Sequence, residues 1–95
     1  MVSLNSPDVR ILVKLGVDTH SIIHVGVVLN QLGRRLGTLS APSRTIGYAK
    51  LPTWTNRFGT LECVGVEGVG SYGARLSRFL RAKGFNVAVV NRPCT

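Results

Sequence analysis

The chain has 95 residues, enough for one domain and too few for two. Hydrophobic residues make up 44% and charged residues 17%, a balance that excludes intrinsic disorder, which needs low hydrophobicity and dense charge. Twelve Lys and Arg face four Asp and Glu, so the net charge is +8 and a phosphate-rich partner, above all nucleic acid, is expected.

After a polar lead at residues 1–9, the run at 11–17 is apolar on both alternating faces apart from Lys14, which predicts a central strand covered on both sides. Residues 22–29 and 34–39 predict two more strands, and the link Asn30-Gln-Leu-Gly33 has hairpin chemistry. Three strands with short links make an antiparallel meander. A helix opening at Ala41-Pro-Ser43 carries Ile46, Leu51, Trp54 and Phe58 at helical spacing. Pro52 is expected to kink or split it near Leu51, and Gly59 to end it. Residues 61–66 predict a fourth strand.

Gly68, Gly70 and Gly73 then lead into a helix at about residues 71–83. Tyr72, Leu76, Phe79 and Leu80 share one stripe of it, while Arg75, Arg78 and Arg81 fall on the far side. Gly84 stops that helix, residues 85–90 form a fifth strand, and Asn91-Arg-Pro93 follows. The strand–helix–strand unit at 61–90 predicts parallel strands with a right-handed crossover. Joined to the meander it gives an α/β fold with one mixed five-stranded sheet, order 3-2-1-4-5, and two helical segments. That is the ribonuclease H-like layout.

No segment approaches the ~18 apolar residues of a membrane span, and no basic stretch leads into an apolar one near the start. Cys63 reads as a small core residue and Cys94 as a free thiol, since two cysteines make no disulfide framework. No membrane partner and a cytoplasmic location are expected.

Two of the four acids occupy equivalent places. Asp18 follows the first strand in Gly16-Val-Asp-Thr-His20, and Glu67 follows the fourth in Val64-Gly-Val-Glu-Gly68. If those strands are parallel neighbours, both carboxylates emerge at one carboxyl edge, where open α/β sheets bind ligands. Paired carboxylates repel unless a cation or proton intervenes. In a basic protein Mg²⁺ or Mn²⁺ is the natural resolution, because these ions prefer oxygen and bridge to substrate phosphates. The plainer alternative has Asp18 capping a turn and Glu67 in solvent.

Gly68-Val-Gly-Ser-Tyr-Gly73 matches G-x-G-x-x-G between a strand and a helix, a competing dinucleotide-binding reading. That reading wants an acid about 20 residues on for the ribose hydroxyls. No Asp or Glu follows Glu67. His20 and His24, taken as one strand, stand about 13 Å apart and share no ion. His20 reads as touching the site beside Asp18, and His24 as ordinary strand surface. Trp54 and Tyr48 read as core. Nine of the twelve bases are Arg, and Arg34, Arg35, Arg75, Arg78, Arg81 and Arg92 are the candidate nucleic-acid contacts, with an inert basic surface as the alternative.

Gly16-Val-Asp-Thr-His20, Gly33-Arg-Arg-Leu-Gly37, Gly47-Tyr48, Gly65-Val-Glu-Gly-Val-Gly-Ser-Tyr-Gly73 and Val90-Asn-Arg-Pro93 come in that order. Together they resemble the N-terminal domain of the DEDD-type insertion-sequence transposases of family one hundred and ten, over roughly residues 11–93. The resemblance implies a RuvC-like domain of the ribonuclease H-like fold that binds divalent metal through four acids. Asp18 matches the first of these and Glu67 the second. The other two, an Asp-x-x-Asp pair beyond the Asn-Arg-Pro block, and the domain bearing the family's catalytic serine have no counterpart here.

The implied arrangement is thus a tail at 1–9 and a partial, truncated domain at 10–95. Ser21-Ile-Ile23 departs from a typically polar stretch of the family, and Pro52 from an uninterrupted helix. For the full-length family the implied activity is metal-dependent cleavage and transfer of DNA strands, guided by a structured RNA. This chain is expected to be inactive alone. A non-enzymatic basic nucleic-acid-binding module is the alternative, and a dinucleotide-binding fragment the distant one.

Overall fold

A period of two in the side chains builds the sheet. Val13, Leu15 and Val17 are buried and alternate with Leu12, Lys14, Gly16 and Asp18, which are not. A computed structural model describes residues 11–67 and 71–89. Its elements run β1 (Leu12–Thr19), β2 (Ile23–Leu29), β3 (Arg35–Pro42), α1 (Thr45–Thr55), β4 (Thr60–Glu67), α2 (Ser71–Ala82) and β5 (Val87–Val89). The five strands form one sheet in the order β3-β2-β1-β4-β5. β1 pairs antiparallel with β2, and β2 with β3, while β1–β4 and β4–β5 are parallel. The expected mixed sheet is therefore present. It is an α/β fold consistent with a RuvC-like domain.

The β2–β3 hairpin closes through Asn30, whose side-chain oxygen accepts hydrogen bonds from the N–H groups of Leu32 and Arg34. Gly33 supplies the left-handed backbone that this turn needs, with φ at 81°. α1 starts with an equally tight requirement at Gly47. A Cβ there would collide with the backbone carbonyl of Pro42, so only glycine lets the first turn of α1 sit against the end of β3.

Tyr48 and Leu51 of α1, and Leu76 and Leu80 of α2, join Val13, Leu15, Val17, Val28, Val64 and Val66 in one core cluster. Both helices thus lie on the same face of the sheet. This corrects the expectation that β1 is covered on both sides. Leu12, Lys14, Val25, Val27 and Leu29 are only half-buried, because no helix of the described residues packs on the second face. The apolar residues of that face predict burial by periodicity, yet periodicity does not say what lies above them.

Pro52 does not split α1, which continues from Thr45 to Thr55. The proline forgoes one backbone hydrogen bond, but its ring is buried and neighbouring hydroxyls add bonds of their own. Thr53 and Thr55 donate through Oγ1 to the carbonyls of Ala49 and Leu51, and the N–H of Asn56 donates to the carbonyl of Pro52. Ile46 and Tyr72 stay 61% and 39% exposed, outside the buried stripes. β5 covers only three of the predicted residues, and residue 90 lies outside the described set. Cys63 is buried as expected but is disulfide-bonded, not a plain core thiol; Cys94 lies outside the described residues.

Candidate functional site

The parallel β1–β4 ladder ends with Asp18 and Glu67 as direct Cα partners. Partners in adjacent strands lie about 4.8 Å apart and project to the same side, here the face that carries no helix. The two carboxylates that the sequence placed at equivalent strand ends therefore stand side by side. Thr19 fixes this pairing. Its buried hydroxyl donates to the backbone carbonyl of Glu67 at 2.9 Å, tying the last residue of β1 to the last of β4. Nothing in the sequence singles out this threonine, because the bond spans 48 positions and exists only once the strands are paired.

His20 Nε2 lies 3.0 Å from Asp18 Oδ2, with both side chains more than half exposed. Below the carboxylates Gly16 and Gly65 present no side chains. A groove of about 300 Å³ runs there between Val25, Val27 and Leu29 on one side and Glu67 on the other.

Beneath the turn, the two histidines meet. The backbone N–H of His20 donates to Nδ1 of His24 at 3.2 Å. A backbone N–H only donates, so Nδ1 is unprotonated and the neutral ring carries its proton on Nε2, 3.4 Å from Ser43 Oγ. The ring stacks on Tyr48 with centroids 5.6 Å apart and planes within 7°. The reading of His24 as strand surface is thereby corrected: it is fully buried on the helix side. The 13 Å separation fails as well, because His20 sits in the turn after β1 rather than on one strand with His24. Burial holds the His24 pKa below the ordinary imidazole value, aided by His20 and opposed by the Ile23 backbone and Asp18. His24 thus works as a neutral bolt between the β1–β2 turn and α1.

The candidate nucleic-acid contacts do not form one patch. Arg34 and Arg35 belong to the β2–β3 hairpin, at the sheet edge opposite Asp18. Arg75 and Arg78 line a cavity on the helix side. Arg81 turns to β5 and donates through Nη2 to the carbonyl of Val87 at 3.1 Å. Arg92 lies outside the described residues, as do Gly68 and Gly70 of the glycine-rich run. Arg44, which is not among the candidate contacts, lines the same cavity as Arg75 and Arg78. Its only sequence signal is a basic residue at the start of a predicted helix.

A family model for transposases, the DEDD type of insertion-sequence family one hundred and ten, matches residues 15–93. The chain belongs to this transposase family. No curated protein matches the sequence. A transposase domain implies DNA as its substrate, and the family points to a divalent metal requirement in general. The donor chemistry at the β1–β4 edge fits such an ion: two adjacent carboxylates on an open face are hard oxygen ligands of the kind a hydrated Mg²⁺ takes. Among the described residues no group of three or more His, Cys, Asp or Glu could hold a metal. No described helix is long and apolar enough to cross a membrane.

Proposed function

We propose that this chain is the part of a DNA transposase that holds a divalent cation through Asp18 and Glu67 and binds nucleic acid through its arginines. The observation that carries this reading is the register of β1 against β4, which makes the two acids neighbours. In such a site the cation, when bound, neutralises charge developing on a phosphate under attack. The protein's own part is positional. Thr19 holds the two strand ends together, and His20 is poised to orient the Asp18 carboxylate. The arginine-rich surface attracts a nucleic-acid backbone by releasing its counterions, whether from DNA or from a structured RNA.

By itself the chain neither cuts nor joins DNA. Two-metal phosphoryl transfer needs carboxylates that hold two cations about 3.5–4 Å apart. Asp18 and Glu67 suffice for one hydrated ion held weakly. Titration with Mn²⁺, followed by the loss of free-ion paramagnetic resonance signal, tests the site: wild type binds, while Asp18→Asn and Glu67→Gln bind markedly less. Supercoiled plasmid incubated with protein and Mg²⁺ stays intact. Equal Mn²⁺ binding by all three proteins rejects the carboxylate site, and nicking that Asp18→Ala abolishes rejects the claim of inactivity.

A further inference from the structure

The helix side of the molecule carries a second concavity, of about 480 Å³, between the start of α1 and the stretch of α2 from Arg75 to its last residue, Ala82. Its floor is aromatic, with Tyr48 and Phe79 packed at 5.5 Å between ring centroids. Its rim is cationic, with Arg44 from before α1 facing Arg75 and Arg78 from α2. Among the described residues no acid lines it. Among the described residues, no ion pair or side-chain hydrogen bond engages these three guanidiniums. Like charges gathered around one cavity repel, and here no carboxylate offsets them. An anion does, and a guanidinium fork matches the oxygens of a phosphate two at a time. α1 adds to the same field, since its N-terminus has no side-chain cap and no acid in its first turn.

We infer that Arg44, Arg75 and Arg78 form a phosphodiester subsite, in which one backbone phosphate of a nucleic-acid strand sits among the three guanidiniums above Tyr48 and Phe79. The inference rests on the reading of the chain as a nucleic-acid-binding transposase domain and gives that binding a place. A free dinucleotide fits less well, because among the described residues the cavity has no carboxylate to hold ribose hydroxyls. The location suits the chemistry. β3 and β4 both run parallel to β1, so α1 and α2 both begin at the edge where Asp18 and Glu67 end. Ser43, on the rim, also contacts His24, whose ring supports the turn bearing His20.

The test is fluorescence anisotropy of the full chain with a labelled DNA duplex and, in a second arm, a labelled RNA hairpin, each across a range of salt. Arg44→Gln, Arg75→Gln and Arg78→Gln are compared with Arg57→Gln, an exposed arginine outside the cavity that removes the same charge. Each cavity variant weakens binding about five- to tenfold, while Arg57→Gln changes it less than about twofold. On the duplex, each loss also lowers the slope of log K against log salt by about 0.9. The arm that responds identifies the source of the phosphate. Equal effects of Arg57→Gln and the cavity variants in both arms overturn the subsite.

If wild type binds neither nucleic acid, the wider reading fails, and a titration with inorganic phosphate followed by amide resonances decides the subsite separately. Shifts at Thr45, Ile46 and Gly47 that Arg44→Gln abolishes support it. Their absence overturns it. Circular dichroism confirms that each variant is folded, which the exposure of all four arginines favours.

Discussion

The two faces of the sheet use the same strands for opposite ends. On the helix side, Val13, Leu15, Val17, Val28, Val64 and Val66 cluster with Leu51, Leu76 and Leu80 in a buried core. On the other side, the intervening positions hold Lys14, two glycines, Asp18, Glu67 and the half-buried Val25, Val27 and Leu29. Alternation assigns every second residue to stability and leaves its neighbours free for chemistry. The difference teaches where substitution is tolerated. The covered face resists loss of a methyl group, whereas the open face resists loss of a charge.

The sharpest test of this contrast is a pair of truncations. Leu15→Ala, at a fully buried position, costs about 2–5 kcal/mol, much of the ~5–15 kcal/mol that holds a domain folded. Val27→Ala on the open face costs about 1 kcal/mol or less. Urea denaturation of both variants measures the gap, and equal losses would show that the open face is buried after all.

A pH titration probes the bolt between the two faces. His24 is neutral in the fold and has its pKa lowered by burial, so below about pH 6.5 the unfolded chain takes up a proton that the folded chain refuses. Stability therefore falls as pH drops through that value, by up to about 1.4 kcal/mol per pH unit, until the folded-state pKa is reached. Protonation also turns Nδ1 into a donor facing the N–H of His20. His24→Gln removes this component of the pH dependence, and denaturation midpoints at several pH values read it.

Thr19→Val keeps the shape of the side chain and deletes its hydrogen bond to Glu67. A loss of about 1 kcal/mol is expected, together with weaker Mn²⁺ binding because the two strand ends loosen. Unchanged Mn²⁺ affinity would assign the bond to stability alone. The smallest stability effect belongs to the open face itself. Asp18→Asn changes the unfolding free energy by no more than about 0.5 kcal/mol, since its carboxylate is exposed and stands beside a like charge. Thermal melts check this alongside the metal titration.

The sequence by itself determined the elements and their order, because strand alternation and helical spacing are local and period-bound. It also determined that Asp18 and Glu67 end equivalent strands, while the β1–β4 register that makes them neighbours came with the paired sheet. Tertiary structure decided the rest. Both helices settle on one face because Tyr48, Leu51, Leu76 and Leu80 find a single shared core, a choice that no local pattern expresses. Pro52 survives inside α1 because the fold buries its ring and nearby threonine hydroxyls bond to helix carbonyls. The Thr19 bond to Glu67, the burial of His24 against Tyr48 and the meeting of Arg44 with Arg75 and Arg78 join residues far apart in the chain. Such contacts form only when distant segments close on one another, so their physical cause is packing in three dimensions rather than any spacing along the sequence.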